Sequence, residues 1–412
     1  MAEHAFVFSN FVTNLGSGIL LLGSAYVTFD KEHSSSAVGL LFVLAALPQG
    51  VLSLISAQLI RPAALKAVCV SADFLRAACC GALLYLQLTG HLAAAALYTG
   101  TFAVSCADAL SIPGMNAWAQ QEVQQDNYRK FSKRFELGSN IGGMLSAAAG
   151  GLIIGLVGIE FSYAANVATY LLSALVLGLA RHGRVSQLGD MPIADEDETA
   201  VGVDSATGAH AAVRDRAELK RWVMLFAQGR TVALVVTSLL VPLVLRDLDR
   251  SVTYLGAVDA VAGVGVLITV RVSSGWLAAD RDRRAVLGLI VAGLLTIPLG
   301  LVGQWGMPLL FACSAGVFGL ARIGAREALM TACADTGSRR SYALANALSL
   351  VLGAALTLLL GYLVDATSTS VGFICIGCWL VVVSVSVGGS LLRSRESMER
   401  FEVRADEVRS AK

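Results

Sequence analysis

The sequence predicts an all-α membrane protein of twelve transmembrane helices, arranged as two pseudo-symmetric six-helix bundles. Three observations carry that prediction. The 412-residue chain is 56% hydrophobic and 15% charged, with a mean hydropathy of +0.68, too apolar for a soluble globular protein. It contains twelve apolar runs long enough to cross about 30 Å of hydrocarbon at about 1.5 Å per residue. Between Arg181 and Lys220 a polar stretch holding Asp195, Glu196, Asp197 and Glu198 divides those runs six and six.

Taken in chain order, the first six spans are expected near residues 6–28, 37–60, 67–90, 92–113, 137–158 and 161–180. The second six fall near 222–245, 252–274, 285–303, 307–324, 342–364 and 370–392. The first run continues as a long helix without a short apolar core and an A-x-A site, so it reads as a span that is kept. The chain then parses into an N-terminal bundle (1–181), a linker (182–220), a C-terminal bundle (221–392) and a tail (393–412).

Loop charge gives the orientation. Of 31 Lys and Arg, 26 fall on the side of the N-terminus, three (Lys31, Arg246 and Arg250) on the other, and two (Arg76 and Arg230) within spans. The positive-inside rule then predicts that both termini are cytoplasmic. Against 31 cations stand 30 Asp and Glu, a net charge of +1, so no bulk excess points to nucleic acid as a partner. The eight cysteines make no framework: most lie in apolar runs, and the Cys375-x-x-Cys378 pair, with no histidine nearby, reads as small apolar filler. Nothing in the chain indicates a metal or a cofactor. The five histidines (His4, His33, His91, His182 and His210) are too dispersed for the clustered chemistry of a membrane-embedded transferase.

Charged side chains in hydrocarbon cost several kcal/mol, which makes each one inside a span a candidate for function. Asp73 and Arg76 share one helical face at i, i+3 and read as a structural or gating ion pair near the mouth on the N-terminal side. On the fourth span Tyr98, Thr101, Ser105 and Asp108 recur at steps of three and four, a polar stripe expected to face a cavity. Asp108 itself is either a proton carrier or a partner for Arg76. Asn10, Asn14 and Ser17 on the first span, with Gln228 and Thr231 on the seventh, either bind a small molecule or bond neighbouring helices. Arg230 lies about 13 Å into the seventh span, and Asp259 on the eighth is expected at similar depth. They form either a structural pair or a site where Arg230 takes an anionic group and Asp259 a proton.

Small residues repeat as well. Gly138, Gly142, Ser146 and Gly150 form one ridge of the fifth span, and Gly143, Ala147, Gly151 and Gly155 a second; both are expected to form a sliding surface between the halves. Gly353 and Gly361 repeat the eight-residue spacing of Gly143 and Gly151. A duplicated six-span unit points to alternating access, two similar bundles rocking about a midplane site.

After the eighth span comes Gly275-Trp276-Leu277-Ala278-Ala279-Asp280-Arg281-Asp282-Arg283-Arg284, which is similar to the G-x-L-A-D-R-x-x-R-R loop of the major facilitator superfamily, with the glycine one residue further from the aspartate. The equivalent loop of the first half, Ser56-Ala57-Gln58-Leu59-Ile60-Arg61-Pro62, lacks the Asp-Arg core. Ala72-Asp73-Phe74-Leu75-Arg76-Ala77 resembles the A-D-x-x-R-A stretch of a bacterial branch that includes the enterobactin exporter and macrolide efflux pumps.

The resemblance implies a secondary transporter of the bacterial cytoplasmic membrane, working as a monomer, with the first and seventh spans lining its cavity. Contacts of Arg129, Lys130, Lys133, Arg134, Arg322 and Arg326 with Asp280 or Glu136 are expected to latch the outward-open form, and Arg281 and Arg284 of the loop after the eighth span, with Arg76, are further gating candidates. The expected activity is proton-gradient-driven export of a drug-like compound or secondary metabolite. A siderophore or other anionic metabolite held by Arg230 is the alternative, and a sensor that has kept the fold is a third reading.

Overall fold

In the computed structural model, residues 2–59, 64–123, 125–180, 206–276, 281–335 and 339–390 are described. They form helices and nothing else regular, as a bilayer demands: no water is available there for an unpaired N–H or C=O, so each span satisfies its backbone internally. The first six are α1 (Ala2–Glu32), α2 (Ser35–Leu59), α3 (Leu65–Leu88), α4 (Ala94–Glu122), α5 (Gln125–Leu156) and α6 (Ile159–Leu179). The second six are α7 (Ala206–Pro242), α8 (Val252–Trp276), α9 (Arg281–Thr296), α10 (Met307–Asp335), α11 (Arg339–Ala366) and α12 (Thr369–Val383). Twelve candidate spans result among the described residues. Single π turns, Leu243–Asp247 and Ser384–Gly388, extend α7 and α12.

Two of these helices carry a proline well inside the apolar run, Pro48 in α2 and Pro113 in α4. Each removes one ladder hydrogen bond. In the turn of Pro48, the Ala45 carbonyl accepts the Ser105 hydroxyl of α4 at 2.5 Å, so a neighbouring helix supplies polar contact where the ladder is broken. The turns between helices use backbone that few side chains adopt: His33 at φ 50° and Gly158 at φ 113° reverse the chain after α1 and α5.

The chain divides into two compact units. The first comprises Met1–Val203 with Ser238–Ala260 and Thr357–Asp365; the second comprises Asp204–Thr237, Val261–Leu356 and Ala366–Lys412. Within the first unit α1 packs on α5 and α6, α3 on α4 and α6, and α2 on α4. At its N-terminal face, Phe6, Trp118, Phe131 and Leu177 form an apolar plug in which the Phe6 and Trp118 rings meet edge to face, centroids 4.8 Å apart.

The glycine ridges of α5 do not act alike. Gly142, Ser146 and Gly150 lie against Phe11, Gly18 and Ile19 of α1, so this ridge packs inside the first bundle and is no surface between halves. The second ridge meets α8: the Cα of Gly256 would stand 2.8 Å from a Cβ at Gly151, and Thr253 donates to the Gly151 carbonyl at 3.2 Å. Only paired glycines let two backbones approach so closely. A second such seam joins α11 to α2, where Gly361 sits against the Ser36 backbone and Gly39 against Thr357.

That seam ends in a charged cap the sequence reading missed. The Asp365 carboxylate accepts the Ser35 N–H at 2.6 Å, the Ser36 N–H at 2.9 Å and the Ser34 hydroxyl at 2.8 Å. An anion on the first N–H groups of α2 satisfies donors that the helix cannot, and opposes the positive end of its dipole. The available signal was an aspartate at a span end together with the triple serine Ser34-Ser35-Ser36 at a span start.

Candidate functional site

Arg76 is the centre of a buried ionic cluster in the first unit. The helical spacing that puts Asp73 one turn before it brings the Asp73 Oδ1 to 2.6 Å from Arg76 Nη1. From α4, Asp108 Oδ1 reaches 2.9 Å from Arg76 Nε, and Nη2 donates to the Ala107 carbonyl at 3.4 Å. The Tyr170 ring of α6 lies under the guanidinium, 5.6 Å from centroid to Cζ, a cation–π contact strengthened by exclusion of water.

A chain of hydroxyl groups extends the cluster. Ser173 of α6 donates to Asp73 Oδ2 at 2.6 Å, and Ser9 of α1 stands 2.6 Å from Ser173. Tyr170 is in turn hydrogen-bonded to Ser17 at 2.9 Å. The sequence pointed to Asp73, Arg76, Asp108 and Ser17 but not to Ser9, Ser173 or Tyr170. Serine and tyrosine in an apolar helix are commonplace, and nothing local marks them as partners of an ion.

Two features of the cluster matter chemically. One guanidinium faces two carboxylates, so with all three ionised the cluster carries one surplus negative charge. The carboxylates are also unequal: Asp73 is fully buried with donors on both oxygens, whereas the Asp108 side chain keeps 14% exposure and one ionic contact.

The depth is also different from the sequence expectation. Arg76 lies about 17 Å from the Leu65 end of its span, and Asp108 about 17 Å from the Ala119 end. The cluster is thus at mid-span, not at a mouth. Its position follows from α3 and α4 running antiparallel, which brings residues equidistant from the same face together.

The remaining predicted site residues divide by what they touch. Asn10 donates to the Phe135 carbonyl of α5 at 2.9 Å, and Asn14 bonds back to Asn10. Along the α4 stripe, Tyr98 donates to Ala37 at 3.4 Å and Ser105 to Ala45, so at these positions the stripe runs along the α2 seam and not along a free cavity wall. Thr101 is buried, and its hydroxyl has no hydrogen-bond partner among the described residues.

In the second unit, Gln228 accepts from the Trp379 indole at 2.8 Å and Thr231 donates to the Ser349 carbonyl at 3.0 Å. Arg230 belongs to the second unit and Asp259 to the first. Arg284 is half-buried at the start of α9, while Asp280 and the side chains of Glu136 and Arg281 lie outside the described residues. Arg322 and Arg326 require a correction. The tenth span extends from Met307 to Cys333, so Arg322 sits near its middle rather than in a loop at its end. The run looked shorter in sequence because the arginines themselves interrupt the hydropathy. Among the described residues no group of His, Cys, Asp and Glu could hold a metal ion.

An all-helical chain of twelve spans with an ion cluster buried between its helices defines a polytopic membrane protein with internal, non-lipid chemistry. The Major Facilitator Superfamily model matches residues 6–348, and the chain belongs to that superfamily of secondary transporters. Solved structures agree on the fold. The nucleoside transporter NupG superposes with TM-score 0.69 at 14% identity, covering 94% of this chain and 98% of its own. A POT family transporter in complex with 5-aminolevulinic acid gives 0.69 at 14%, covering 93% and 95%. A D-xylose-proton symporter gives 0.68 at 11%, covering 93% and 96%. No curated protein matches the chain by sequence.

Proposed function

We propose that this protein is a proton-coupled exporter that moves a small organic molecule, a drug-like compound or secondary metabolite, across the bacterial cytoplasmic membrane with both termini inside. The observation that carries the coupling is the surplus carboxylate around Arg76. Neutralising it by a proton on Asp108 removes the net charge of the cluster, and a change of one charge in a low-dielectric interior is large enough to bias a two-state transporter. Asp73, held by Arg76 and Ser173, keeps the arginine in place through the cycle. Export is supported by the resemblance of Ala72-Asp73-Phe74-Leu75-Arg76-Ala77 to exporters. The two six-span halves, joined by the 182–220 linker, are the bodies that rock; the paired glycines of the α5–α8 and α2–α11 seams support that reading, because smooth small-residue surfaces separate and re-form without unpacking side chains.

The test uses everted vesicles carrying the protein and a panel of labelled neutral, cationic and anionic compounds. Accumulation of a panel member is expected with an inward-acid gradient and is expected to vanish when a protonophore collapses it. Asp108→Asn is expected to retain exchange of labelled for unlabelled compound while losing uphill accumulation. Undiminished accumulation without a gradient, or by the Asn variant, would refute proton coupling at this cluster.

A further inference from the structure

The Arg76 cluster is one end of a longer polar seam that α6 makes with α1 and α3, all within the first unit. Along α6, steps of three and four residues lead from Tyr170 at the cluster through Asn166 and Tyr163 to Glu160, about 15 Å away. The matching face of α1 runs from Ser17, bonded to Tyr170, through Ser24 to Thr28, about 17 Å. At the far end the half-buried Gln87, one residue before the end of α3, donates to Glu160 Oε1 at 3.0 Å. The seam therefore opens on the face opposite the N-terminus, because α1 starts at one face and reaches Thr28 near the other.

Between its two ends the seam is enclosed but under-bonded. Ser24, Thr28, Ser162, Tyr163 and Asn166 are each 0% exposed. The four hydroxyl oxygens and Asn166 Oδ1 have no hydrogen-bond partner among the described residues. They face into the seam: Ser162 Oγ stands 3.1 Å from where a Cβ would lie at Gly23 of α1, and Asn166 Oδ1 3.0 Å from one at Gly16. Tyr163 neighbours Ser24 across this contact, and it stands within electrostatic reach of Glu160 on one side and of Cys80 of α3 on the other. Cys80 is within the same reach of Arg76, Asp108 and Tyr170, so the groups follow one another from the far end to the cluster.

Buried polar atoms are almost always paired, and a group of unpaired ones in a single seam calls for a common partner. Four neutral hydroxyls and an amide oxygen carry no charge to hold an ion. Water suits them, since a buried water bonds about three polar groups and both donates and accepts. A file of hydroxyls and water also conducts protons. A proton entering beside Glu160 binds the first oxygen, which releases its own proton to the next. The last one adds to an Asp108 carboxylate oxygen, and no group along the file changes its net charge. Asn166 Oδ1 only accepts, so it anchors a water without passing the proton.

We propose that the seam between α6 and helices α1 and α3 holds a file of internal water and is the route by which protons reach Asp108 from the face opposite the N-terminus. This rests on the coupling reading above and supplies its proton path. The other titratable groups around Arg76 are Asp73, Cys69 and Cys80 of α3 and Tyr170 of α6.

Hydration is tested on the unmutated full-length protein in lipid nanodiscs by X-ray hydroxyl-radical labelling, in which bound water is converted to radicals that mark the side chains beside it. Tyr163 and Cys80 are expected to be labelled although each is 0% exposed, whereas Phe6 and Trp118 in the apolar plug, at 0% and 1%, are not. Unlabelled Tyr163 and Cys80 overturn the proposal. Proton arrival is then followed after an acid jump through the infrared C=O band of protonated Asp108, identified by its loss in Asp108→Asn. Ser24→Val and Ser24→Thr add the same bulk, and only threonine keeps the hydroxyl. Valine is expected to slow the band about a hundredfold while its final amplitude and pH midpoint stay the same, and threonine to retain the rate. Tyr163→Phe, a second variant that removes only a hydroxyl, is expected to act as valine does.

Equal rates in the valine and threonine variants overturn the route, as does a valine variant that moves amplitude or midpoint and not rate. A dry seam with the Asp108 band intact refutes the route alone. A labelled seam with no Asp108 band at any pH refutes the coupling reading, and the route with it.

Discussion

Replacing Arg76 with methionine tests the ion cluster most directly. Methionine fills a similar volume with an apolar stem, so the substitution removes charge while preserving much of the packing. What remains is Asp73, fully buried, and Asp108, at 14% exposure, without the cation that sits 2.6 Å and 2.9 Å from them. Breaking a buried ionic group by deleting one partner costs about 3–5 kcal/mol, because the partner charge is left uncompensated. Two carboxylates share this arginine, so the upper part of that range is expected.

If the cost arises from stranded charge, neutralising the acids should recover it. The triple variant Asp73→Asn, Arg76→Met, Asp108→Asn is therefore expected within about 1–2 kcal/mol of the unmutated protein, since an apolar or neutral replacement of an entire buried ionic group is often nearly neutral. Asparagine at 73 keeps an oxygen for the Ser173 hydroxyl, so that hydrogen bond survives. Equilibrium unfolding in mixed micelles, followed by tryptophan fluorescence, measures each variant, and the non-additivity between single and triple substitutions isolates the coupling. A loss below about 1 kcal/mol for Arg76→Met, or a triple variant as unstable as the single one, would refute the charge argument.

Ser173→Ala is expected to cost about 1–3 kcal/mol in the same assay, because it leaves Asp73 Oδ2 without its donor in a dry site, whereas Ser386→Ala, whose hydroxyl bonds only its own helix, should fall within about 0.5 kcal/mol of zero. Gly256→Ala forces a Cβ to within 2.8 Å of the Gly151 Cα and into the Ala147 carbonyl. The expected loss is about 1–3 kcal/mol, with reduced transport, and an unaltered unfolding curve would show that the α5–α8 seam is looser than described. Asp365→Ala removes the acceptor for the Ser35 and Ser36 N–H groups and should cost about 0.5–2 kcal/mol. A cysteine at position 36 should then react faster with an impermeant maleimide, and an unchanged rate would mean that the cap does not hold the α2–α11 seam.

Much of the cluster was legible because it is local. Asp73 and Arg76 are three residues apart, and helical geometry alone places them on one face. Asp108 stood out as an acid in an apolar run, although its distance from Arg76 followed only from the packing of α4 on α3. Ser173 and Ser9 were invisible: each makes its bond to a residue far away in sequence, Ser173 at a separation of 100 and Ser9 at 164. The glycine ridges were legible as small surfaces, but their partners were not, and the ridge that packs on α1 looks the same in sequence as the ridge that meets α8. Arg322 was misplaced for a physical reason: hydropathy ends a span where charge begins, whereas the helix ends where its backbone bonds end.

The sequence by itself determined the number of spans and their order. A bilayer imposes those requirements on every segment separately, through apolar length and internally satisfied backbone, so each span carries its own signature. Only the tertiary structure decided which charges neutralise which. It placed Arg76 between two acids and Asp365 on the start of α2. Neutralisation and close approach are properties of pairs of helices, set by depth and facing direction, and no single segment contains them.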